Sequence, residues 1–292
     1  MTTRLAEPDW TARRAAHRAR VAPLVEPHAE RKSTGRTHPV IDFLFTYYSL
    51  RPALLRRWGP GYGVLLDGAG ALDYLQYKGY REIDGGIGVD PALLDARRST
   101  LEFVVALLAA TESRPAQLGC FGLHEWAMVY RGGDADVRHS SVPLRLGHDG
   151  TDSVVESMQL RCTHYDAFRF FTPAAVQRNV EPLRRVDQLE REQPGCVHAT
   201  MDLYKWGYKL GPLIDSDLLA DCFDLAVDAR ELDMRASPYD LTEFGYSPVQ
   251  IETPSGRAEY VRGQSALAER AAVLRSALLQ RCRSLLAQPL PT

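Results

Sequence analysis

Apolar side chains recur at three- and four-residue intervals through most of the chain, and only in short patches do they alternate singly. Residues 90–112 give the clearest amphipathic helix, with Pro91 in the first turn, where its missing N–H is not needed. A second long helix is predicted from Gly256 to Leu286, its leucines and alanines separated by Arg and Glu. Residues 8–34 place Trp10, Ala16, Val21 and Val25 at helical spacing. Asp9 can cap that helix, and Pro23 and Pro27 are expected to break it. His38-Pro39 is a stop signal. Residues 40–58, dense in aromatic and aliphatic side chains, read as a buried helix interrupted at Pro52, and the glycines from Gly59 to Gly63 mark a turn.

Residues 195–235 return to helical periodicity. Between the helical blocks, Val142–Leu146 and Ser153–Phe171 alternate in patches and flank a Gly147–Gly150 turn. They predict a small hairpin or three-stranded sheet, with Val249–Thr253 as one more short strand. The sum is a mainly α protein with a small β element (α+β), one globular domain over residues 1–292 with a single large helical core.

Composition agrees with a packed core: 45% of residues are apolar and 25% charged, which argues against disorder. No apolar run approaches the roughly 18 residues of a bilayer span, and charges interrupt the first ten residues, where a signal peptide would be apolar. The expectation is a cytoplasmic protein without a membrane partner. Five widely spaced cysteines, an odd number, read as free thiols rather than a disulfide framework.

Net charge is −2, but it is unevenly spread. Residues 1–60, a basic helical segment, carry eleven Lys/Arg against five Asp/Glu, which leaves −8 for the remainder. Such a face can meet phosphate or can be an ordinary solvated helix surface.

The polar chemistry concentrates in residues 118–241. His124, His139, His164 and His198 each sit in a polar motif, and a carboxylate follows three of them: Glu125, Asp166 and Asp202. His-x-Asp on a strand puts both side chains on one face, and His198 and Asp202 stand at i and i+4 on a helix. His164, Asp166 and His198 thus make a candidate 2-His-1-carboxylate site, for which Fe(II) is the expected metal. Zinc is the other candidate, with Cys120, Cys162 and Cys196 available as thiolates. Two other readings stand beside it. One is a hydrogen-bonded polar core. The other is metal-free acid–base chemistry led by His124, Glu125, Asp166 and Asp202.

After Asp202, the run Tyr204-Lys205-Trp206 mixes aromatics and lysines as a stacking or phosphate-binding face would. Asp217, Asp221, Asp224, Asp228 and Glu231 form an acidic stripe that reads as a solvated face. At the helix end before Pro238, Asp233 and Arg235 are a candidate substrate-orienting pair. No Rossmann glycine loop, P-loop, HExxH or GxSxG signature occurs, so no nucleotide cofactor is indicated.

Six stretches are distinctive together. They are His38–Tyr48, Phe121–Tyr130, His164–Phe171, Glu192–Cys196, Met201–Trp206 and Leu232–Asp240. Through them the chain resembles, over nearly its whole length, an actinobacterial family whose members carry the name 3-methyladenine DNA glycosylase. The resemblance implies a DNA-repair hydrolase that cleaves the N-glycosidic bond of an alkylated purine, with the base extruded from the stack. It implies Asp202 or Asp166 as the carboxylate that steadies the sugar cation or activates water, and Trp126, Tyr204 or Trp206 as stacking surfaces. The residues themselves keep two alternatives open. One is a metal-dependent enzyme (non-haem iron or zinc), an oxidoreductase, acting on a small molecule through His164, Asp166 and His198. The other is a non-enzymatic module binding nucleic acid or a partner through the basic N-terminal segment.

Overall fold

The computed structural model describes residues 3–132 and 142–288. His139, one of the motif histidines, lies outside the described residues. The protein is mainly α with a small four-stranded sheet, as the periodicity predicts.

The sheet lies elsewhere than expected. β1 (Thr3–Leu5) pairs in parallel with β2 (Val64–Leu66), and β4 (Gly86–Val89) runs antiparallel to both β2 and β3 (Tyr80–Ile83), giving the order β1-β2-β4-β3. β3 and β4 form a hairpin whose two-residue turn, Asp84-Gly85, has φ of +50° and +75°. Two positive φ values match the twist of the flanking strands, and Asp-Gly supplies them cheaply. Trp10 packs against this sheet with Trp58, Leu66 and Tyr74.

The helices up to residue 112 are α1 (Glu7–Ser33), α2 (Ile41–Tyr47), α3 (Pro52–Arg56), α4 (Pro91–Ala96) and α5 (Arg98–Glu112). The central part adds α6 (Leu123–Ala127), α7 (Gly147–Ser157), α8 (Tyr165–Phe168), α9 (Pro173–Val176) and α10 (Gln188–Arg191). The last three, α11 (Val197–Lys209), α12 (Ser216–Arg235) and α13 (Pro254–Leu286), pack on α5 and α1 to form the main core. α11 is the innermost element: every residue from Val197 to Gly207 is buried.

Three expectations are corrected. α1 continues through Pro23 and Pro27, and its N-cap is Ala6, not Asp9. Both prolines lie on the exposed side of the helix, where water can take up the freed carbonyls, while Trp10, His17, Val21, Val25 and His28 anchor the buried side. The predicted hairpin around Gly147–Gly150 is instead α7. Thr151, Val154 and Val155 bury one helical stripe, so period 3.6 overrides the patches of alternation. Val249–Thr253 is a turn, not a strand: Val249 N–H donates to the Arg235 carbonyl, and Thr253 Oγ1 caps α13 by accepting from Gly256 N–H.

Candidate metal centre

Three histidines widely separated in sequence meet inside the protein. His124 comes from α6, His164 from the residue preceding α8, and His198 from the first turn of α11. The His198 ring stands between the other two, 4.5 Å from the His124 centroid and 5.3 Å from that of His164. All three are at most 4% exposed.

Two three-donor groups result, and they adjoin through His198. His124, His198 and Asp233 form one; His164, Glu192 and Asp202 form the other; within each, the donor atoms all lie within 4.8 Å of one another. His124 Nε2 is 2.7 Å from Asp233 Oδ1. His164 Nε2 is 3.3 Å from Asp202 Oδ2 and 3.6 Å from Glu192 Oε2. An ion with bonds of about 2.1 Å keeps neighbouring donors about 3.0–3.4 Å apart.

The His164 distances lie close to that spacing, whereas the 2.7 Å between His124 and Asp233 is shorter and equally suits a hydrogen bond; both His–Asp pairs are off the ideal hydrogen-bond direction. His124 Nε2 and Asp233 Oδ1 are buried without a hydrogen-bond partner, and so are both ring nitrogens of His164. Buried polar atoms are nearly always paired. Imidazole nitrogens at contact distance from carboxylate oxygens, yet without a hydrogen bond, are free to act as metal ligands.

Each carboxylate is fixed by a further residue. Lys205 Nζ bridges Asp202 Oδ2 at 2.5 Å and Asp166 Oδ2 at 2.9 Å, and Tyr48 Oη donates to Asp202 Oδ1 at 3.0 Å. Arg230 Nη1 donates to Glu125 Oε1 at 2.7 Å and to Asp233 Oδ2 at 3.2 Å. Gln188 Nε2 donates to Glu192 Oε2 at 2.9 Å. Such partners orient ligand groups in metal sites.

A polar hinge sets the loop that carries Glu192. Gln193 Oε1 accepts from Gln117 N–H and Gly195 N–H, while its amide donates to the Gln117 carbonyl. Gln264 of α13 donates to the Gly195 carbonyl at 2.7 Å.

The electrostatics follow from burial against close charges. Burial favours the neutral Asp202, but Lys205 and His164 outweigh it and hold its carboxyl well below the usual range. Burial likewise opposes the His124 and His164 imidazolium forms, yet Asp233 and Asp202 raise both pKa values. Burial pushes Glu192 up, and His164, 3.6 Å away, only partly offsets it. Five carboxylates (Glu125, Asp166, Glu192, Asp202 and Asp233) face Lys205 and Arg230, with Arg169 touching only Asp166 at the outer edge. The raised pKa values of His124 and His164 add positive charge to that of Lys205, Arg230 and Arg169, so protonated rings balance the carboxylates, and a bound cation would take the place of those protons.

The remaining site expectations sort clearly. Asp166 is absent from both donor groups. It is drawn to Lys205 and Arg169, and Asp202 takes the role expected of it beside His164. Asp233 and Arg235 do not pair: Asp233 is fully buried beside His124 and Arg230, whereas Arg235 reaches the Ser247 carbonyl and Glu259. Glu125 binds Arg230 instead of facing a cleft. Trp126 is 0% exposed and donates to the Ala236 carbonyl; Tyr204, also 0% exposed, packs edge-on to Phe223. Neither offers a stacking face. Trp206 does reach a surface groove, flanked by Lys205 and Lys209 over its ring.

The donor groups contain no sulfur. Cys120 Sγ lies 3.4 Å from His124 Nδ1, and burial pushes the Cys162 thiol up to about 12. With Cys196 and Tyr260 they line a pocket of about 10 Å³ beside the histidines, room for about one water. Glu192, Arg230 and Tyr48 belong to the site but carry no chemical signature in sequence. Only the Arg230–Asp233 spacing of i, i+3 on a helix hints that two opposite charges share a buried face.

Comparison of the chain with protein-family models, with curated proteins and with solved structures finds no match.

Proposed function

We propose that this protein is a metal-dependent enzyme acting on a small molecule, with Fe(II) or zinc held by His124, His198 and Asp233 and by His164, Glu192 and Asp202. The observation that carries this reading is the set of buried imidazole nitrogens at contact distance from carboxylates without hydrogen-bond geometry. Nitrogen and carboxylate donors in sets of three leave coordination positions for water, oxygen or substrate. When bound, a metal there would polarise a substrate oxygen or lower the pKa of water. The chain's own residues set the carboxylates: Lys205 keeps Asp202 ionised, Tyr48 fixes its second oxygen, and Arg230 orients Asp233.

Base excision, the reading implied by the resemblance, draws less support from the geometry. Asp202 is 1% exposed and bound on both oxygens, and two of the three expected stacking aromatics are sealed in the core. The nucleic-acid module is also less favoured. Arg4, Arg20 and Arg31 of the basic segment are paired with Asp67, with Asp221 and Asp224, and with Asp42.

Elemental analysis of the purified protein tests the proposal. Near-stoichiometric iron or zinc is expected, lost in His164→Ala and in Asp233→Asn. A wild-type protein with no metal above buffer background, whose melting temperature does not rise with Fe(II) or Zn(II), would sink it. Release of 3-methyladenine from alkylated DNA, abolished by D202N and by D166N separately, would establish the glycosylase instead.

A further inference from the structure

A second cavity lies at the far end of α11, near the sheet, and the metal centre makes no use of it. It encloses about 380 Å³, within the range of small-molecule sites. Its floor is apolar: Leu50, Trp58, Leu93 and Ile214 contribute, and Trp58 and Ile214 are otherwise buried. Four cations line it, Arg57, Lys78, Arg97 and Lys209, and no carboxylate does.

Those four side chains come from separate segments, so no single helix pattern groups them. Among the described residues none of the four has an ion-pair partner within 4.0 Å. Arg57 instead stands over the Tyr77 ring, its Cζ 3.5 Å from the centroid. Neighbouring carboxylates are already engaged. Asp90 caps Ala92 N–H and lies 3.6 Å from Arg81, and Asp215 caps α12 and pairs with Arg281 at 2.7 Å. Four like charges around an apolar floor set up a positive potential that draws an anion into the cavity. Burial and the nearby Lys205 lower the pKa of Lys209, only partly offset by Asp202 and Asp166.

We infer that this cavity binds an organic anion, a carboxylate or phosphate head on an aliphatic or aromatic body. The body fills the floor between Trp58, Leu93 and Ile214, and the head meets Arg57, Lys78, Arg97 and Lys209. The site is separate from the metal centre, and its ligand is recognised by charge and apolar burial rather than by coordination.

Calorimetric titration of the full-length protein with octanoate, octyl phosphate, octanol, octylammonium and acetate tests this. Saturable one-to-one binding of octanoate or octyl phosphate is expected, at least about tenfold tighter than octanol, and the tighter of the two identifies the head group. Acetate, lacking the body, and octylammonium, with the wrong charge, should not bind measurably. The double variant Lys78→Gln/Arg97→Gln changes two exposed side chains. It should weaken the anion about tenfold or more, a loss of about 1.4 kcal/mol or greater, and leave octanol affinity unchanged. Equal affinity for octanoate and octanol, acetate binding as tightly as octanoate, or an unaltered affinity in the double variant would each overturn the inference.

Discussion

His124 Nε2 and Asp233 Oδ1 stand 2.7 Å apart, both buried and neither hydrogen-bonded. A protein core does not ordinarily tolerate that arrangement, because an unmade hydrogen bond in a buried site costs about 1–3 kcal/mol per group. One ring away through His198, both His164 nitrogens are likewise buried without a hydrogen bond, while the facing Asp202 Oδ2 and Glu192 Oε2 are held by Lys205 and Gln188. An ion shared by the donors, as proposed, would remove the cost at both places.

Metal removal is therefore expected to destabilise the fold, not only to silence it. A ligand at a hundred times its dissociation constant contributes about 2.7 kcal/mol to the native state. Dialysis against a chelator should lower the melting temperature measured by circular dichroism, and Fe(II) or Zn(II) should restore it. An unchanged melting curve after complete metal removal would show that the histidines form a self-sufficient polar core.

Lys205 is the cation on which the Asp202 side of the site depends, since it contacts both Asp202 and Asp166 and is itself buried. Replacing it with Met keeps the volume and strands two carboxylates. Removing one partner of a buried pair typically costs about 3–5 kcal/mol. Urea unfolding of Lys205→Met should show a loss of this size, and the double variant K205M/D202N should lose less than the two single changes added together. Strict additivity would mean the contact is not energetically coupled.

The sequence made the helical class legible because the long helices bury clean 3.6-residue stripes, as Leu101, Val104 and Leu108 do in α5. The sheet was misplaced because its strands are three or four residues long, too short for a period to register. Asp84-Gly85 was nevertheless a readable hairpin turn. His124, His164 and His198 were visible as motifs, and they do converge. Which carboxylates join them was not visible, since spacing favours the near neighbour. Asp166, two residues from His164, is pulled outward by Lys205 and Arg169. Asp202, Glu192 and Asp233 arrive through the packing of α11, the loop before it and α12. Local spacing carries no information about such tertiary placement.

Asp42 gives a pH dependence at a distance from the centre. Burial would raise its pKa, but hydrogen bonds from Arg31, from His28 and from the His38 N–H at 2.8 Å lower it below the ordinary 3.8. A carboxyl depressed by folding contributes stability that is complete above its unfolded pKa and disappears as pH falls through the folded value. Asp42→Asn should therefore be less stable than wild type at pH 7, by about 1.5–3 kcal/mol for lost hydrogen bonds to a charged group. The gap should narrow as the pH drops below about 3.8. Urea midpoints across pH 3–7 measure it, and a gap that is constant or widens in acid would contradict the assignment.

Gly195 decides where Glu192 stands. A Cβ there would lie 2.7 Å from the Gln117 carbonyl oxygen and 3.0 Å from the Gln117 nitrogen, both backbone atoms that cannot swing aside. The same Gln117 is held by Gln193, and the Gly195 carbonyl by Gln264, so the loop has no slack on either side. Gly195→Ala must push the 192–196 segment away from residue 117, moving Glu192 relative to His164. Overpacking of this kind costs about 1–3 kcal/mol. The expected signature is a lower unfolding midpoint together with weaker metal retention in a chelator competition. Gly119→Ala is the matched control, because its Cβ meets only Arg161 Cδ at 3.6 Å, an ordinary contact. It should stay within about 0.5 kcal/mol of wild type and keep its metal. If G195A loses stability but retains metal as tightly as G119A, the loop is a packing feature and Glu192 is not held for coordination.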